Sequence, residues 1–368
     1  MRWTLLLIVF GTAPALAEAA QCDAVPVLAA DTQEALRGVE DIVIDRVAGV
    51  AYLSAYDRLT VENEIGGTVA RTTQGGVYAL PLAALRDGAP TRLIAAPLTR
   101  AFSAETDFHP HGIDLYVAPS GERSLFVINH RFIHADGEWS EASTVEIFDV
   151  RGRTLVHRMT VSHPFISTPN DLVANGSSSF FVTNDHGYGD GIERIVEDVF
   201  GRGLGSVVYV DLARPPAQQV QTLLSGIAFA NGIALSPDRR FLYVASSRDK
   251  MMLTYEVLRP TLPPRKTSLD FGPDNLSWGH DGKLYIAGHP SLIRFGLYAK
   301  TSYWRWGVHS SPSEVIRLDP TAPDPVATIE PVFEDDGKRL SGASVAAAGD
   351  GFVLVGTVLA DRIGFCRL

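Results

Sequence analysis

Carboxylate and amide residues open a series of similar segments along this chain of 368 residues. In the segment STPNDLVANGSSSFFVTNDHG, residues 167–187, one Asn-Asp pair precedes an apolar run and a second pair, Asn184-Asp185, follows it. Any single pair of this kind is typical of a turn. Oxygens of carboxylates, amides and backbone carbonyls are also the ligands that Ca²⁺ prefers. Similar openings recur at Glu40-Asp41, His111-Gly112-Ile113, Asn170-Asp171, Asn231, Asp274-Asn275 and Gly342.

The elements that must position these residues are short strands. Each opening leads through an apolar dipeptide and a tight turn into an apolar strand, and a second alternating strand follows. Alternation of β-branched and aromatic residues between Gly, Pro and Asp predicts antiparallel hairpins. Long helical periodicity is scarce, and the best helix candidate is 192–203. Six such units predict an all-β fold, a six-bladed β-propeller. The alternative, a double-sheet sandwich, does not predict the constant order of opening and two strands.

The innermost strand of each propeller blade lines the central channel, so the residues that open the units are expected to converge there. Adjacent residues on an extended strand point in opposite directions. One member of each pair, such as Asn170 and Asp171, therefore faces an open part of the channel while the other faces deeper. This geometry predicts two ions, one accessible and one buried.

The bulk composition restricts the class of protein. A formal net charge of −10 makes a nucleic-acid partner improbable, because phosphate binding needs a basic face. The segment 1–20 has Arg2, an apolar run and small residues with Ala-x-Ala options, which predicts a secretory signal peptide. We therefore expect a secreted or periplasmic protein with one mature domain, residues 21–368. No other stretch approaches 18 apolar residues, so no transmembrane segment is expected in that domain.

The chain has two cysteines, Cys22 and Cys366, one near each end of the predicted mature domain. Export permits a disulfide, and an even count is compatible with one. Such a bond would suit a fold whose first and last elements are neighbours. The alternative is two unrelated thiols.

A series of short motifs, in order from about residue 38, resembles the paraoxonase/arylesterase family. The motifs are GVEDI, HPHGID, VINH, STVEIF, PNDLVA, TNDHG, FANGIALSPD, DNLSW, GHP, SEVIRL and the terminal GTV. The resemblance implies a six-bladed propeller of calcium-dependent lactonases and aryl esterases, with two calcium ions in the central tunnel and a terminal disulfide. One position departs from the family, because Gly288 stands where a free cysteine is often found.

The resemblance also implies roles for individual residues. The catalytic calcium would be bound by Glu40, Asn170, Asn231, Asp274 and Asn275. The structural calcium would be bound by Asp41, Asp171 and the backbone carbonyl of Ile113. The other implied site residues are the histidine pair His111 and His130, the pair Asp185 and His186, and the apolar wall residues Phe229 and Val358.

These residues predict a calcium-dependent hydrolase of lactones and aryl esters. The metal would stabilise an oxyanion as a Lewis acid, and a histidine would activate the attacking water. Two alternatives remain open: a gluconolactonase-like hydrolase of sugar lactones, and a non-catalytic propeller that calcium stabilises and that binds a partner. The expected ligand is a small lactone or ester. Lipid contact through Tyr303, Trp304 and Trp306 is a further option, and packing over the fifth blade is the plainer one.

Overall fold

The computed structural model describes residue 20 and residues 22–65, 67, 69–85, 90–135, 137–189, 191–300 and 307–368. The predicted signal peptide, apart from residue 20, and the aromatic residues Tyr303, Trp304 and Trp306 lie outside these residues. No helix in the described part of the chain has the length and apolarity needed to cross a membrane.

The fold consists almost entirely of short antiparallel strands, with a few helices in the connections. The strands are β1 (Cys22–Val25), β2 (Val27–Ala29), β3 (Val39–Asp45), β4 (Val50–Ala55), β5 (Gly76–Pro81), β6 (Leu93–Pro97), β7 (Pro110–Val117), β8 (Arg123–Asn129), β9 (Phe132–Ala135), β10 (Glu138–Glu141), β11 (Thr144–Arg151), β12 (Thr154–Val161), β13 (Pro169–Gly176), β14 (Ser179–Asn184), β15 (Gly205–Asp211), β16 (Val220–Ile227), β17 (Ala230–Leu235), β18 (Phe241–Ser246), β19 (Met251–Glu256), β20 (Arg265–Ser268), β21 (Gly272–Trp278), β22 (Leu284–His289), β23 (Ser313–Leu318), β24 (Glu330–Asp335), β25 (Ala343–Gly349), β26 (Phe352–Thr357) and β27 (Ile363–Arg367). The α-helices are α1 (Arg58–Ile65), α2 (Arg100–Glu105), α3 (Gly191–Phe200) and α4 (Leu292–Tyr298).

The strands form six main sheets, which are the blades of a β-propeller. Their orders from the innermost strand outward are β3-β4-β5-β6-β2, β7-β8-β11-β12, β13-β14-β15-β16, β17-β18-β19-β20, β21-β22-β23-β24 and β25-β26-β27-β1. Consecutive innermost strands contact one another, and β25 contacts β3, so the ring is closed. The predicted six-bladed propeller is therefore confirmed. The predicted helix at 192–203 corresponds to α3, and β9 with β10 forms an additional hairpin beside the second blade.

Apolar side chains fill the space between neighbouring blades. Phe126 and Val145 of the second blade, for example, pack in one cluster with Phe180 and Val182 of the third. This burial against the next blade explains the apolar strands of each unit, because one sheet alone leaves its apolar face exposed to water.

The terminal disulfide holds the last blade together. Strand β1 pairs with β27 in a register that places Cys22 opposite Cys366, and the two cysteines are bonded. The alternative of two unrelated thiols is therefore wrong. Both ends of the described domain belong to one sheet, so the bond fixes the point at which the ring closes.

Removing this disulfide is expected to destabilise the protein strongly. The bond spans 344 residues, and closing so long a loop restricts the unfolded chain. We expect Cys22→Ser with Cys366→Ser to lower the free energy of unfolding by about 2–5 kcal/mol, as measured by urea denaturation. A double variant as stable as the wild type would contradict this expectation.

Each innermost strand departs from regular pairing at the same place. The register shift in the third blade lies between Pro169 and Leu172, so it includes Asn170 and Asp171. A bulge bends a strand and changes the direction of its side chains. The six openings recognised in the sequence therefore coincide with register shifts in the pairing of the innermost strands. These shifts lie between Val39/Asp41, Pro110/Ile113, Pro169/Leu172, Ala230/Ile233, Pro273/Leu276 and Ala343/Ala346.

Candidate metal centre and active site

The five residues expected to bind the catalytic ion lie on four of the innermost strands, and all are buried. Asn275 on β21 donates a hydrogen bond through Nδ2 to Glu40 Oε1 on β3, at 3.0 Å, across the channel. The fold therefore brings residues 235 positions apart into direct contact.

Several oxygens of this set have no hydrogen-bond partner among the residues that the structure describes. Buried polar atoms without a partner are costly and rare in folded proteins. The unpartnered atoms here are Glu40 Oε2, Asn170 Oδ1, Asn231 Oδ1 and Asn275 Oδ1. A carboxylate oxygen and three amide oxygens are hard ligands, so the residues fit a calcium ion. Within the described residues no three His, Cys, Asp or Glu side chains form a metal cluster, because amides supply most of this set.

The charge on Glu40 supports the same assignment. Burial raises the pKa of Glu40 well above its usual value, and the neighbouring carboxylates of Asp41 and Asp274 raise it further. Arg58 and the hydrogen bond from Asn275 oppose this rise. An ionised Glu40 therefore needs additional positive charge, which a divalent cation would supply.

Asp41 and Asp171, the carboxylates expected to bind the structural ion, are partly satisfied by backbone amides. The N–H of Ile113 donates to Asp41 Oδ2 at 2.7 Å, and the N–H of Ile233 donates to Asp171 Oδ2 at 2.8 Å. These bonds connect neighbouring blades. Unlike the oxygens around Glu40, no oxygen of either carboxylate lacks a hydrogen-bond partner, so the inner pair gives weaker evidence for a metal.

The carboxylates of Asp41 and Asp171 still carry charge that their hydrogen bonds do not fully compensate. Burial raises the pKa of Asp41 to about 7, although hydrogen bonds from Ile113 and Ile42 lower it. Burial and the charge of Asp41 raise the pKa of Asp171 well above its usual value.

A third carboxylate, Asp114, was not predicted from the sequence. It lines the same channel, of about 620 Å³, and accepts a hydrogen bond from the N–H of Ala174 at 2.8 Å.

These raised pKa values predict how stability depends on pH without metal. An acid whose pKa is raised by folding binds more protons in the native state, so its contribution to stability falls as pH rises from about 4 to about 7. We expect Asp41→Asn, in chelator, to be increasingly stabilised relative to wild type over this range, by on the order of a few kcal/mol. Melting temperatures at a series of pH values measure the difference.

Asp45→Asn is the matched control for this experiment. Asp45 is also buried and lines the same channel, but Arg123 Nε lies 2.7 Å from its Oδ2. The ion pair already compensates its charge, so Asp45→Asn should show no such gain. A constant difference between Asp41→Asn and wild type across this pH range would contradict the prediction.

The predicted histidine pair is in contact. The rings of His111 and His130 meet edge to face, with centroids 4.8 Å apart. Burial lowers the pKa of His111 well below its usual value, and the charges of Arg58 and His130 lower it further. His130 Nδ1 lies 2.7 Å from Glu141 Oε1 and 2.9 Å from Ser143 Oγ, which fixes the ring beside His111.

Arg58 was not predicted from the sequence, yet it contacts His111. Its Nη1 donates to Tyr56 Oη at 2.8 Å, its Nη2 bonds to His111 Nδ1, and its guanidinium stacks over the Tyr56 ring. Arginine can only donate, so His111 Nδ1 accepts and the proton of the neutral ring is assigned to Nε2. Arg58 lies at the start of a helix in a connection between strands, and no motif in the sequence identifies it.

His289 is a second residue that sequence reasoning missed. Its Nε2 lies 2.9 Å from Asp274 Oδ2, and its ring stacks on Phe295 of α4. His289 therefore orients one of the candidate ligands. The GHP motif contains this histidine, but nothing in the motif indicates its partner.

The pair Asp185 and His186 forms part of a network beneath α3. His186 Nδ1 lies 2.7 Å from Asp185 Oδ1, and its Nε2 lies 2.9 Å from Asp198 Oδ1. Both ring nitrogens are engaged, so the geometry favours an anchoring function over proton transfer. Phe229, predicted as part of the apolar wall, packs edge to face on His186.

Val358, the other predicted wall residue, lies in the connection after β26. Its carbonyl oxygen is close to Gly38, where an added Cβ would lie 2.8 Å from it and 2.5 Å from the Tyr56 carbonyl oxygen.

At Gly288, where the family often has a cysteine, an added Cβ would lie 2.2 Å from the Gly272 carbonyl oxygen. The backbone therefore leaves no room for a cysteine at position 288 unless it shifts.

Comparison with known proteins identifies the family. The arylesterase family model matches residues 68–368. Serum paraoxonase/arylesterase 2 of Gallus gallus is 32% identical, over 74% of this chain and 72% of the relative. Serum paraoxonase/arylesterase 1 of Homo sapiens is 31% identical, over 72% and 69%. The chain belongs to the arylesterase family, whose members are hydrolases, and its fold is a six-bladed β-propeller.

Solved structures support the fold. A gluconolactonase from Xanthomonas campestris aligns with a TM-score of 0.51 at 15% identity, over 98% of this chain and 99% of that one. At this identity the similarity concerns the fold alone. The two paraoxonase/arylesterase relatives are named as serum proteins, and the Cys22–Cys366 bond of this chain is compatible with secretion.

Proposed function

We propose that this protein is a secreted or periplasmic, calcium-dependent hydrolase of lactones and aryl esters. The observation that carries the proposal is the set of unpartnered oxygens on Glu40, Asn170, Asn231 and Asn275, which converge in the channel. Asp274 would complete the set. Asp41, Asp171 and the carbonyl of Ile113 would bind a second, structural calcium ion. Membership of the arylesterase family supports ester bonds as the target.

The donor set suits a calcium ion that acts as a Lewis acid better than one that only stabilises the fold. Two carboxylates, Glu40 and Asp274, leave a divalent ion without a large excess of negative charge around it. When bound there, calcium would polarise the carbonyl group of the substrate and stabilise the negative charge that develops on its oxygen.

Side chains of the protein would accept the proton of the attacking water and position the group that accepts it. His111 is buried beside the donor set and has a lowered pKa, so it is neutral at neutral pH. It accepts the proton of the attacking water at Nδ1 once the guanidinium of Arg58 moves off that atom. His130, fixed by Glu141, positions the His111 ring. Phe229 and Val358 provide apolar surface for the substrate.

A substrate panel tests this function. Purified mature protein is assayed with γ- and δ-lactones, a sugar lactone and phenyl acetate, with calcium, after chelation and after calcium is restored. We expect turnover of lactones and of phenyl acetate that disappears on chelation and returns with calcium. Turnover of the sugar lactone alone would indicate gluconolactonase chemistry. If no ester is turned over and chelation lowers only the melting temperature, the protein is a binding propeller.

The contact between His289 and Asp274 gives a more specific expectation. Residues that orient metal ligands typically contribute about 10–100-fold to metal affinity. We expect His289→Gln to weaken calcium binding by about tenfold, as measured by calorimetric titration. His280→Gln is the control, because His280 is exposed and lies outside the donor set. Unchanged affinity in His289→Gln would show that Asp274 does not depend on this bond.

A further inference from the structure

Arg58 differs from the ion-paired arginines near it. Arg37, for example, lies 3.8 Å from both Asp57 and Asp361. No carboxylate oxygen of the described residues lies within 4.0 Å of the Arg58 guanidinium, which contacts only the neutral groups of Tyr56 and His111. Its Nε is buried and has no hydrogen-bond partner in the described ranges. Within the described residues the side chain therefore retains an unsatisfied donor, and its charge is opposed only at longer range, by Glu40.

The position of this arginine places it inside the candidate site. It contacts His111 at Nδ1, and His111 Nδ1 lies 3.5 Å from Glu40 Oε2. Arg58 is therefore separated from the donor set by one imidazole ring. One small molecule is therefore long enough to contact Arg58 with one group and to place an ester carbonyl near Glu40 with another.

The geometry of the guanidinium selects the chemistry of that group. Arginine presents a planar fork of donors that matches the two oxygens of a carboxylate, and such charge-assisted bonds are among the stronger ones. Stacking on Tyr56 holds the plane of the fork. We propose that Arg58 binds a free carboxylate of the substrate, so that the natural substrates are lactones or esters that also carry a carboxylate group.

This inference rests on the proposed function and also affects it. A carboxylate that draws the guanidinium toward itself releases His111 Nδ1, which then becomes free to accept a proton. The acidic substrate would thus complete the site that hydrolyses it. A preference for acidic substrates is then expected in kcat as well as in KM.

The test compares two lactones that differ only in charge. γ-Butyrolactone γ-carboxylate and the matching γ-carboxamide have the same ring and nearly the same size. We expect wild type to favour the carboxylate by about tenfold to hundredfold in kcat/KM, the size of effect typical of bonds to charged groups. Equal kcat/KM for the two lactones in wild type would overturn the proposal.

Variants assign the preference to Arg58. Arg58→Gln should reduce the ratio of the two kcat/KM values to near one, whereas Arg58→Lys, which keeps the charge but not the fork, should retain part of it. Arg37→Gln removes one positive charge nearby and should leave the ratio as in wild type. If Arg58→Gln lowers both values equally and the ratio persists, the residue only positions His111.

A binding measurement separates failure of this inference from failure of the proposed function. Cyclopentanecarboxylate has no ester bond, so its binding by calorimetry does not depend on turnover. Binding to wild type that is lost in Arg58→Gln supports the carboxylate site even if no lactone is hydrolysed. Absence of binding to wild type, with lactones turned over normally, overturns the inference and leaves the proposed function intact.

Discussion

Replacing Glu40 with glutamine is expected to lower kcat/KM for lactones by at least about hundredfold, since loss of a direct metal ligand should exceed the effect of losing an orienting residue. Glutamine keeps the size of the side chain, and its amide oxygen can still accept the hydrogen bond from Asn275. The change replaces Oε2, which has no hydrogen-bond partner in the described part of the chain, by an amide that donates. Lactone hydrolysis and calcium titration of the same preparation measure the effect.

Stability distinguishes this result from a folding defect. In chelator at neutral pH, Glu40 is a buried acid whose pKa is raised by burial and by Asp41 and Asp274. Removing its charge should therefore leave the metal-free protein as stable as wild type or more stable. Glu34→Gln, at an exposed position, is the control. A Glu40→Gln protein that retains wild-type calcium affinity and activity would remove Glu40 from the metal centre.

Replacing His111 with glutamine is expected to lower kcat by about 10²–10⁴-fold, the usual contribution of a general base, while calcium affinity stays close to wild type. His111 contacts His130 and Arg58 and lies beside Glu40, but it is not a candidate ligand. His134→Gln is the control, because His134 is exposed on the β9–β10 hairpin and stacks on Trp139.

The pH profile gives a second measure of the same function. Burial, Arg58 and His130 lower the pKa of His111 well below its usual value of 6.5. If His111 is the base, the acid limb of kcat/KM in wild type should lie below pH 6.5, because the ring stays neutral there. An acid limb that is unchanged in His111→Gln, together with a small loss of kcat, would assign the base to another group.

The architecture was predictable because it repeats. Each unit must bury the same apolar strands against its neighbours, so the pattern that opens at Asn170 reappears in every blade. The outer strands were harder to predict. Strand β12 (Thr154–Val161), for instance, is mostly exposed and shows little alternation of burial. The pairing of β1 with β27 depends on closure of the ring, and the sequence indicates it only through the two cysteines.

The site was predictable in its residue types but not in its contacts. Carboxylates and amides at the start of each unit indicated the donor set, and the family resemblance assigned individual residues. Arg58 was missed because its partner His111 lies in the next blade, 53 residues along the chain. His289 was missed although Asp274 lies on the neighbouring strand of the same hairpin, because nothing in the GHP motif indicates that the two side chains meet. The bulge at Asn170 and Asp171 was also not predictable, since the sequence around it is that of an ordinary strand opening.

The most direct test of the central claim measures bound calcium and lactone turnover together. Wild-type protein is stripped with chelator and titrated with calcium, and each point is assayed both for bound metal and for δ-lactone hydrolysis; Glu40→Gln is treated identically. We predict that turnover is lost on stripping and returns in proportion to calcium binding, and that Glu40→Gln binds one ion fewer and stays inactive. Full turnover by wild type with no calcium bound would contradict the account.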